Sequence, residues 1–202
     1  MAFFTLVSAN ASVGPARLRR WLRLLLLTAL MPLASVAVHA EGFQVRYANT
    51  RLSDQVYVLN AGIDYSFSET ALQALNNGVP LTILLEIDVQ RKRRWWLDAD
   101  VAELEQRYRI RFHALSGQYL VRNLNSGALY TYSTLSSALD ALGRVRDLPL
   151  LDEKLIEPGE KYEVELKAEL DIEALPSPLR PLAYITPAWH LGSDWFVCSL
   201  KP

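Results

Sequence analysis

Three segments of the sequence alternate apolar and polar residues with a period of two, and this pattern constrains the fold more than any other feature of the chain. The segments are PLTILLEIDVQ, QRYRIRFHAL and KYEVELKAELD. Such alternation is typical of a β-strand that has one face on a core and the other face in solvent. Parallel strands, which are covered on both faces, usually read as continuous apolar runs. The pattern therefore predicts an antiparallel sheet.

Five further segments have a weaker strand pattern, and two others have apolar residues at helical spacing. The weaker strands are FQVRYANT, QVYVLNAGIDYSF, GQYLVRNL, ALYTY and DWFVCSL. The helices are SFSETALQALNNG, with a capping box of Ser66 and Glu69, and STLSSALDALG, with Gly143 as a C-terminal cap. We predict a mainly β fold, an antiparallel β-sandwich of about eight strands with two short amphipathic helices that cover its edges or one end.

The first 40 residues have the pattern of a secretory signal peptide. Four arginines precede an apolar run of 15 residues at positions 24–38, and the sequence VHA ends at Ala40. The run contains Pro32 and is shorter than the roughly 20 apolar residues that span a bilayer. We predict Sec-dependent export, cleavage after Ala40 and a periplasmic protein with one domain, residues 41–202. The alternative is a retained signal anchor in the inner membrane.

The charge balance and the few Cys and His residues limit the classes of function. Residues 41–202 contain 17 basic and 22 acidic residues, a net charge of −5, which disfavours nucleic acid as a partner. Cys198 is the only cysteine, so the chain cannot form an intramolecular disulfide. His113 and His190 have no second His or Cys at ligand spacing. We predict no metal, no cofactor and no catalytic residue set.

The polar faces of the three alternating strands carry different charges. The first strand presents Glu86 and Asp88, the second presents arginines at positions 107, 109 and 111, and the third presents mainly glutamates. If these strands are neighbours, we expect the arginines to form cross-strand ion pairs worth roughly 0.2 to 1 kcal/mol each. The arginines would then not form a free cationic surface.

The stretch EIDVQRKRRWWLDAD begins inside the first strand and continues into basic residues followed by two tryptophans. The inward phase of the strand would continue through Arg91 and Arg93, and a core does not accept unpaired charge. The strand must therefore leave the core, or bulge, at about Gln90, and the tryptophans would close the end of the sandwich. The alternative is a binding site for an anionic glycan, a lipid headgroup or an acidic peptide. Its residues would be Arg91, Arg93, Arg94, Trp95 and Trp96.

The segment LPSPLRPLAYITP contains four of the ten prolines. Proline lacks a backbone donor and stiffens the chain, so we predict a rigid extended crossing with an edge strand near residues 183–186. Arg180 would emerge from it with little conformational entropy to lose on binding. We therefore add Arg180 to the candidate binding residues, as part of one cationic face with the Arg/Trp stretch. The alternative is an internal pair of Arg180 with Asp171.

The order of several motifs resembles a proteobacterial envelope family, the domain of unknown function numbered four-three-nine-zero. The motifs are GVPL, RKRRWW, the strand YRIRFHAL, the stretch LDIEALPSPLRP and the closing SDW, and together they extend over nearly all of residues 41–202. Members of that family look like exported proteins and are sometimes named proline-rich signal peptide proteins. The resemblance also implies that the gene lies beside one for a membrane histidine kinase. The resemblance implies export and a single domain, and it implies no activity.

These observations lead to an expected function class. The sequence has no convergent polar constellation, whereas strand edges and an Arg/Trp cluster suit recognition. We expect a noncatalytic binding or accessory module of the cell envelope that binds an envelope protein and is associated with a sensor kinase. The alternatives are a periplasmic hydrolase that uses His190 or His113, and an anchored protein that binds anionic glycan or lipid.

Overall fold

A computed structural model describes residues 42–93 and 99–200, and the domain that contains them forms one compact unit from Ala40 onward. The described residues form nine strands, three helices and two 3-10 turns. The strands are β1 Gly42–Ser53, β2 Val56–Ser66, β3 Leu81–Lys92, β4 Ala99–His113, β5 Gln118–Asn123, β6 Leu129–Tyr132, β7 Arg144–Asp152, β8 Lys161–Leu170 and β9 Phe196–Ser199. The helices are α1 Glu69–Asn76, α2 Leu135–Leu142 and α3 Arg180–Ile185, and the 3-10 turns are Glu153–Leu155 and Pro187–Trp189.

The strands form two antiparallel sheets, which confirms the predicted mainly β, sandwich-like fold. One sheet has three strands in the order β1-β2-β7, and the other has six in the order β6-β5-β4-β3-β8-β9. Their facing side chains form one hydrophobic core, with fully buried residues such as Leu59 from the small sheet and Ile87 from the large sheet. Burying each such side chain contributes about 1.5 to 3 kcal/mol.

Strand β3 lies at the centre of the large sheet, between β4 and β8. Its predicted inward residues are all buried, with an exposed fraction of 0%: Leu81, Ile83, Leu85, Ile87 and Val89. The predicted irregularity near Gln90 is confirmed, because the pairing of β3 with β4 shifts register between Val89 and Gln90. The extra residue at the shift is Val101 of β4, and β3 itself stays in regular register with β8 as far as Lys92.

One side of the sandwich is closed and the other is open. On the closed side, the Thr50 hydroxyl of β1 donates to the Ser199 carbonyl of β9 at 3.2 Å, and the Phe43 amide donates to the Gly192 carbonyl at 3.3 Å. On the opposite side, β6 and β7 are the outer strands of their sheets, and within residues 42–93 and 99–200 no backbone hydrogen bond joins them. A cleft separates these two edges.

Helices α1 and α2 occupy the predicted positions. The N-cap of α1 is Ser68, whose hydroxyl accepts from the Ala71 amide at 3.2 Å, so the predicted capping residue Ser66 is wrong by two positions. Gly143 caps α2 as predicted. The helices have eight, eight and six residues, so none in this part of the chain is long enough to cross a membrane.

The proline-rich segment contains a helix, so the predicted extended crossing with an edge strand is wrong. Helix α3 spans Arg180–Ile185 and has Pro181 in its first turn. Proline is tolerated there because the first amides of a helix have no intrahelical partner. The 3-10 turn Pro187–Trp189 also begins with proline, and it places Trp189 in the core with an exposed fraction of 3%.

Strand β7 was not among the eight predicted strands. Its pairing with β2 is irregular at two places, and Asp147 has a φ of 48°. The strand also contains Pro149. These features interrupt the alternation of apolar and polar residues, and they are typical of an edge strand.

Candidate functional site

The predicted Arg/Trp site is divided by the end of β3. Arg91 is half-buried and forms an ion pair with Glu157, a residue that lines a cleft of about 650 Å³ beside β8. The other charged residues of that cleft are mainly glutamates. Arg93 follows β3 and is exposed, whereas Arg94, Trp95 and Trp96 lie outside the described residues. The neighbours of Arg91 thus make this part of the surface acidic rather than cationic.

Arg180 lies at the other end of β3 from Arg91. Its Nε donates to the Leu175 carbonyl at 2.8 Å. Four residues before Leu175, the Asp171 amide donates to the carbonyl of Thr82, near the start of β3. From Thr82 to Arg91 the strand extends roughly 30 Å at 3.3 Å per residue. Arg180 and Arg91 therefore do not form one face. Asp171, the predicted partner of Arg180, lies 3.6 Å from Arg107 instead.

The two histidines of the domain are not joined to a carboxylate by any hydrogen bond within the described ranges. His113 Nδ1 lies 3.1 Å from the Ser116 hydroxyl in the exposed turn after β4. Ser193, near His190, accepts from the Ala168 amide at 3.1 Å and so fastens its loop to β8. Among the same residues, no group of three or more His, Cys, Asp or Glu side chains is arranged to hold a metal ion.

The outer face of the large sheet carries an arginine face, which we define as Arg109, Arg111 and Arg122. The register places Arg109 of β4 directly opposite Arg122 of β5. All three side chains are exposed, and the described part of the chain places no carboxylate in ion-pair contact with them. Arg109 Nε has only a long contact, 3.5 Å, with the Thr82 hydroxyl. Like charges directly opposite on neighbouring strands destabilise a sheet.

The same outer face carries an acidic row farther along β3, which we define as Glu103, Asp88 and Glu165. The three residues are paired in register across β4, β3 and β8. Burial raises the pKa of the Asp88 carboxyl, and the nearby Glu103, Glu86, Asp100 and Glu165 raise it further. The predicted ion pairs between the arginines and Glu86 or Asp88 are therefore wrong. Glu86 lies 3.5 Å from Lys167 instead.

We expect Asp88→Asn to stabilise the domain at pH 7 by roughly 0.2 to 1 kcal/mol, because it removes the central charge of the acidic row. A carboxyl whose folded pKa is raised favours folding below its ordinary pKa of 3.8, and this contribution is lost as the pH rises through the folded value. The gain should therefore disappear at acid pH. Urea unfolding at several pH values measures it, with Glu160→Gln as an exposed control. Destabilisation at pH 7 would contradict the role given to Asp88.

The open side of the sandwich holds a second site, the tyrosine cleft, with a volume of about 300 Å³. One wall comes from β4, β5 and β6, and the other comes from α2 and β7. Its aromatic residues are Tyr108, Tyr130 and Tyr132, and its cations are Arg144 and Arg146. Burial raises the pKa of Tyr108, and Tyr130 raises it further.

Sequence reasoning missed the tyrosine cleft because half of it belongs to β7. One signal was present in the segment ALYTY, where Tyr130 and Tyr132 are two residues apart and so share one face of a strand. The register confirms this arrangement, because Tyr130 pairs with the buried Val121 and Tyr132 pairs with Tyr119. Both rings therefore lie on the inner side of an edge strand.

Comparison with known proteins gives one match. A family model described as a domain of unknown function (DUF4390) matches residues 40–199. No curated protein and no solved structure matches the chain.

Proposed function

The chain belongs to the DUF4390 family, which has no assigned function to transfer, and from the surface of the domain we propose that it is an exported, noncatalytic binding module of the cell envelope. Its partner is an envelope protein that contacts the outer face of the large sheet. The observation that carries this proposal is the arginine face, in which Arg109 and Arg122 are opposite each other without a carboxylate partner in the described ranges.

The arginine face lowers the folding stability of the isolated domain. Like charges opposite each other on neighbouring strands are unfavourable, and the acidic row repeats this arrangement with the other sign. Rules of local stability are broken most often at functional sites. A partner that places carboxylates over the arginine face would relieve the repulsion and form charge-assisted hydrogen bonds.

The arginine face and the acidic row lie on the same outer face of the large sheet, and this combination of opposite charges favours a protein partner. A uniformly anionic surface, such as a glycan chain or a layer of lipid headgroups, would be attracted by the arginine face and repelled by the acidic row. A protein can present a complementary pattern, and such patterns fix register and exclude wrong partners. Arg93 is exposed at the far end of β3 and remains a separate candidate contact.

The compartment is part of the proposal. An arginine-rich segment followed by 15 apolar residues precedes the domain, and the sequence VHA lies immediately before the residues that lead into β1. We propose export and cleavage after Ala40, with a periplasmic domain that serves a membrane sensor kinase. A retained inner-membrane anchor would place the same domain in the same compartment.

The test is photo-crosslinking in intact cells, followed by mass spectrometry. We expect the double variant Arg109→Ala/Arg122→Ala to reduce the yield of the crosslinked partner about ten-fold, which corresponds to the loss of about 1.4 kcal/mol of binding free energy. The folding stability should change by less than about 1 kcal/mol, because both side chains are exposed. The same spectra should show a mature N-terminus at Glu41.

The matched control is Arg46→Ala. Arg46 is also an exposed strand arginine, but it is paired with Asp64 at 3.0 Å on the small sheet. It should leave the crosslinking yield unchanged. An undiminished yield from the double variant would refute the arginine face as the contact, and a loss confined to Arg93→Ala would move the contact to the end of β3.

A further inference from the structure

We propose that the tyrosine cleft binds a short anionic saccharide, at a site separate from the protein-binding outer face. The cleft lies between the inner surfaces of the two sheets on the open side of the sandwich, whereas the arginine face points outward from the large sheet. Sugar binding in the cleft is therefore independent of partner binding at the outer face.

The cleft has the size and rigidity of a ligand site. Its volume of about 300 Å³ lies at the lower end of the range for small-molecule sites. The lining residues belong to strands, to one helix and to the short turn between β5 and β6, which supplies Ser126 and Ala128. Buried apolar residues form its floor: Val121, Leu142 and Val145. Walls made only of apolar side chains would favour closing the gap by packing against each other. The walls of this cleft instead carry aromatic and polar side chains.

The aromatic rings favour a saccharide. Tyr108, Tyr130 and Tyr132 line one cleft, and tyrosine combines a flat apolar ring with a polar hydroxyl. A sugar has the matching chemistry, since its ring carries C–H groups on its faces and hydroxyls around its edge. Asn123 and Ser126 line the same cleft. The Asn123 Oδ1 atom already accepts from the Asn125 and Ser126 amides, and the Ser126 hydroxyl oxygen accepts from the Ala128 amide, so the Asn123 Nδ2 group and the Ser126 hydroxyl can serve the sugar as donors.

The charge of the cleft favours an anion. Arg144 and Arg146 both line it, and its lining includes no Asp or Glu. The nearest acidic residue along β7 is Asp147, which is bonded to Arg51 at 2.8 Å. Arg51 and, to a smaller extent, the adjacent Arg146 lower the pKa of its carboxyl, so Asp147 offsets part of the charge of Arg146 and leaves Arg144 as the main cation of the cleft. An arginine fork recognises a carboxylate or a phosphate with two parallel hydrogen bonds. Both arginines are exposed and can therefore meet an incoming ligand.

An added peptide strand is a poorer occupant. Strand β7 has an irregular register between its pairs with Leu59 and Ala61, and Asp147 in that interval has a φ of 48°. Pro149 has no amide to donate. Bulges and prolines of this kind protect edge strands from pairing with another chain. The edge of β7 therefore resists the addition of a peptide strand. A ligand in the cleft would be bound by the side chains that line it.

The test is isothermal titration of the purified protein with four defined probes: trigalacturonate, glucose 6-phosphate, maltotriose and hexaglutamate. We expect one of the two anionic sugars to bind at least about ten-fold tighter than the neutral maltotriose and than the hexaglutamate peptide. A preference for trigalacturonate identifies a carboxylated sugar, and a preference for glucose 6-phosphate identifies a phosphorylated one. Equal binding of maltotriose, or tighter binding of hexaglutamate, would overturn the proposal.

Variants locate the site. Arg144→Ala/Arg146→Ala should weaken binding of the preferred sugar about ten-fold, and Tyr130→Ala should weaken binding of both charged and neutral sugars. Arg122→Ala, on the outer face of the same sheet, should leave sugar binding unchanged. Thermal unfolding verifies that each variant is folded, and Tyr130→Phe provides a conservative second variant. Unchanged sugar affinity in the folded double-arginine variant would rule out the cleft as the site.

Discussion

Gly143→Ala is expected to lower the free energy of unfolding by about 3 kcal/mol. A Cβ atom added at Gly143 would lie 2.1 Å from the Ile63 carbonyl oxygen of β2. The backbone cannot easily move away, because the Gly143 carbonyl accepts from the Ile63 amide at 2.8 Å and the Gly143 amide donates to Leu139 at 2.8 Å. The φ of Gly143 is −70°, so the effect is steric rather than conformational.

The matched control for Gly143 is Gly127→Ala. Gly127 has a φ of 78° and open space around the position of an added Cβ, so its substitution costs only backbone strain of about 1 to 2 kcal/mol. Urea unfolding of the two variants separates the steric contribution from the conformational one. If Gly143→Ala were no less stable than Gly127→Ala, α2 and β2 would be able to separate without loss, and the close approach would not be structurally important.

Trp189→Ala is expected to lower the free energy of unfolding by about 3 to 5 kcal/mol, whereas Trp189→Phe should cost less than about 1.5 kcal/mol. The indole is 3% exposed and forms part of the core between α1 and α3. Its Nε1 is buried, and the described residues offer it no acceptor. An unsatisfied buried donor costs about 1 to 3 kcal/mol, so phenylalanine loses ring volume but also removes this cost.

The comparison of the two Trp189 variants by thermal and urea unfolding tests the role of the unsatisfied donor. Trp195→Ala is a useful control, because Trp195 is 44% exposed and lies over the Lys167 ammonium group rather than in the core. It should cost much less than Trp189→Ala. A loss for Trp189→Phe as large as that for Trp189→Ala would show that the Nε1 group bonds an acceptor in solution.

The strands with regular alternation were predictable because burial on one face determines the pattern. In β3 and β8, every second residue faces the core, and the register of a strand cannot slip by one residue without exposing that whole set. The same argument predicted an irregularity near Gln90, where the pairing of β3 with β4 shifts register, since charges in the core are excluded. At these positions the local sequence pattern was sufficient to predict the structure.

Other features depend on neighbours that are distant in the sequence. The arginines of β4 were expected beside Glu86 and Asp88, but the register places Glu105 and Glu103 there, and alternation along one strand contains no information on this offset. Strand β7 was missed because a bulge and Pro149 interrupt its pattern. Helix α3 was missed because prolines were interpreted as excluding a helix, although one in the first turn is compatible with it. Arg180 therefore begins a helix and donates to the Leu175 carbonyl, rather than emerging from an extended segment.

The contact between β1 and β9 has a consequence for the time at which the protein can fold. Among the described elements, β1 comes first and β9 comes last, and Thr50 and Ser199 join them across 149 positions of sequence. The closed side of the sandwich therefore cannot form until β9 has left the ribosome or a translocation channel. Until then β1 can pair with β2, but its approach to β9 must wait. Until β9 is available, the nascent domain thus lacks its closed side, whichever other strands have already paired.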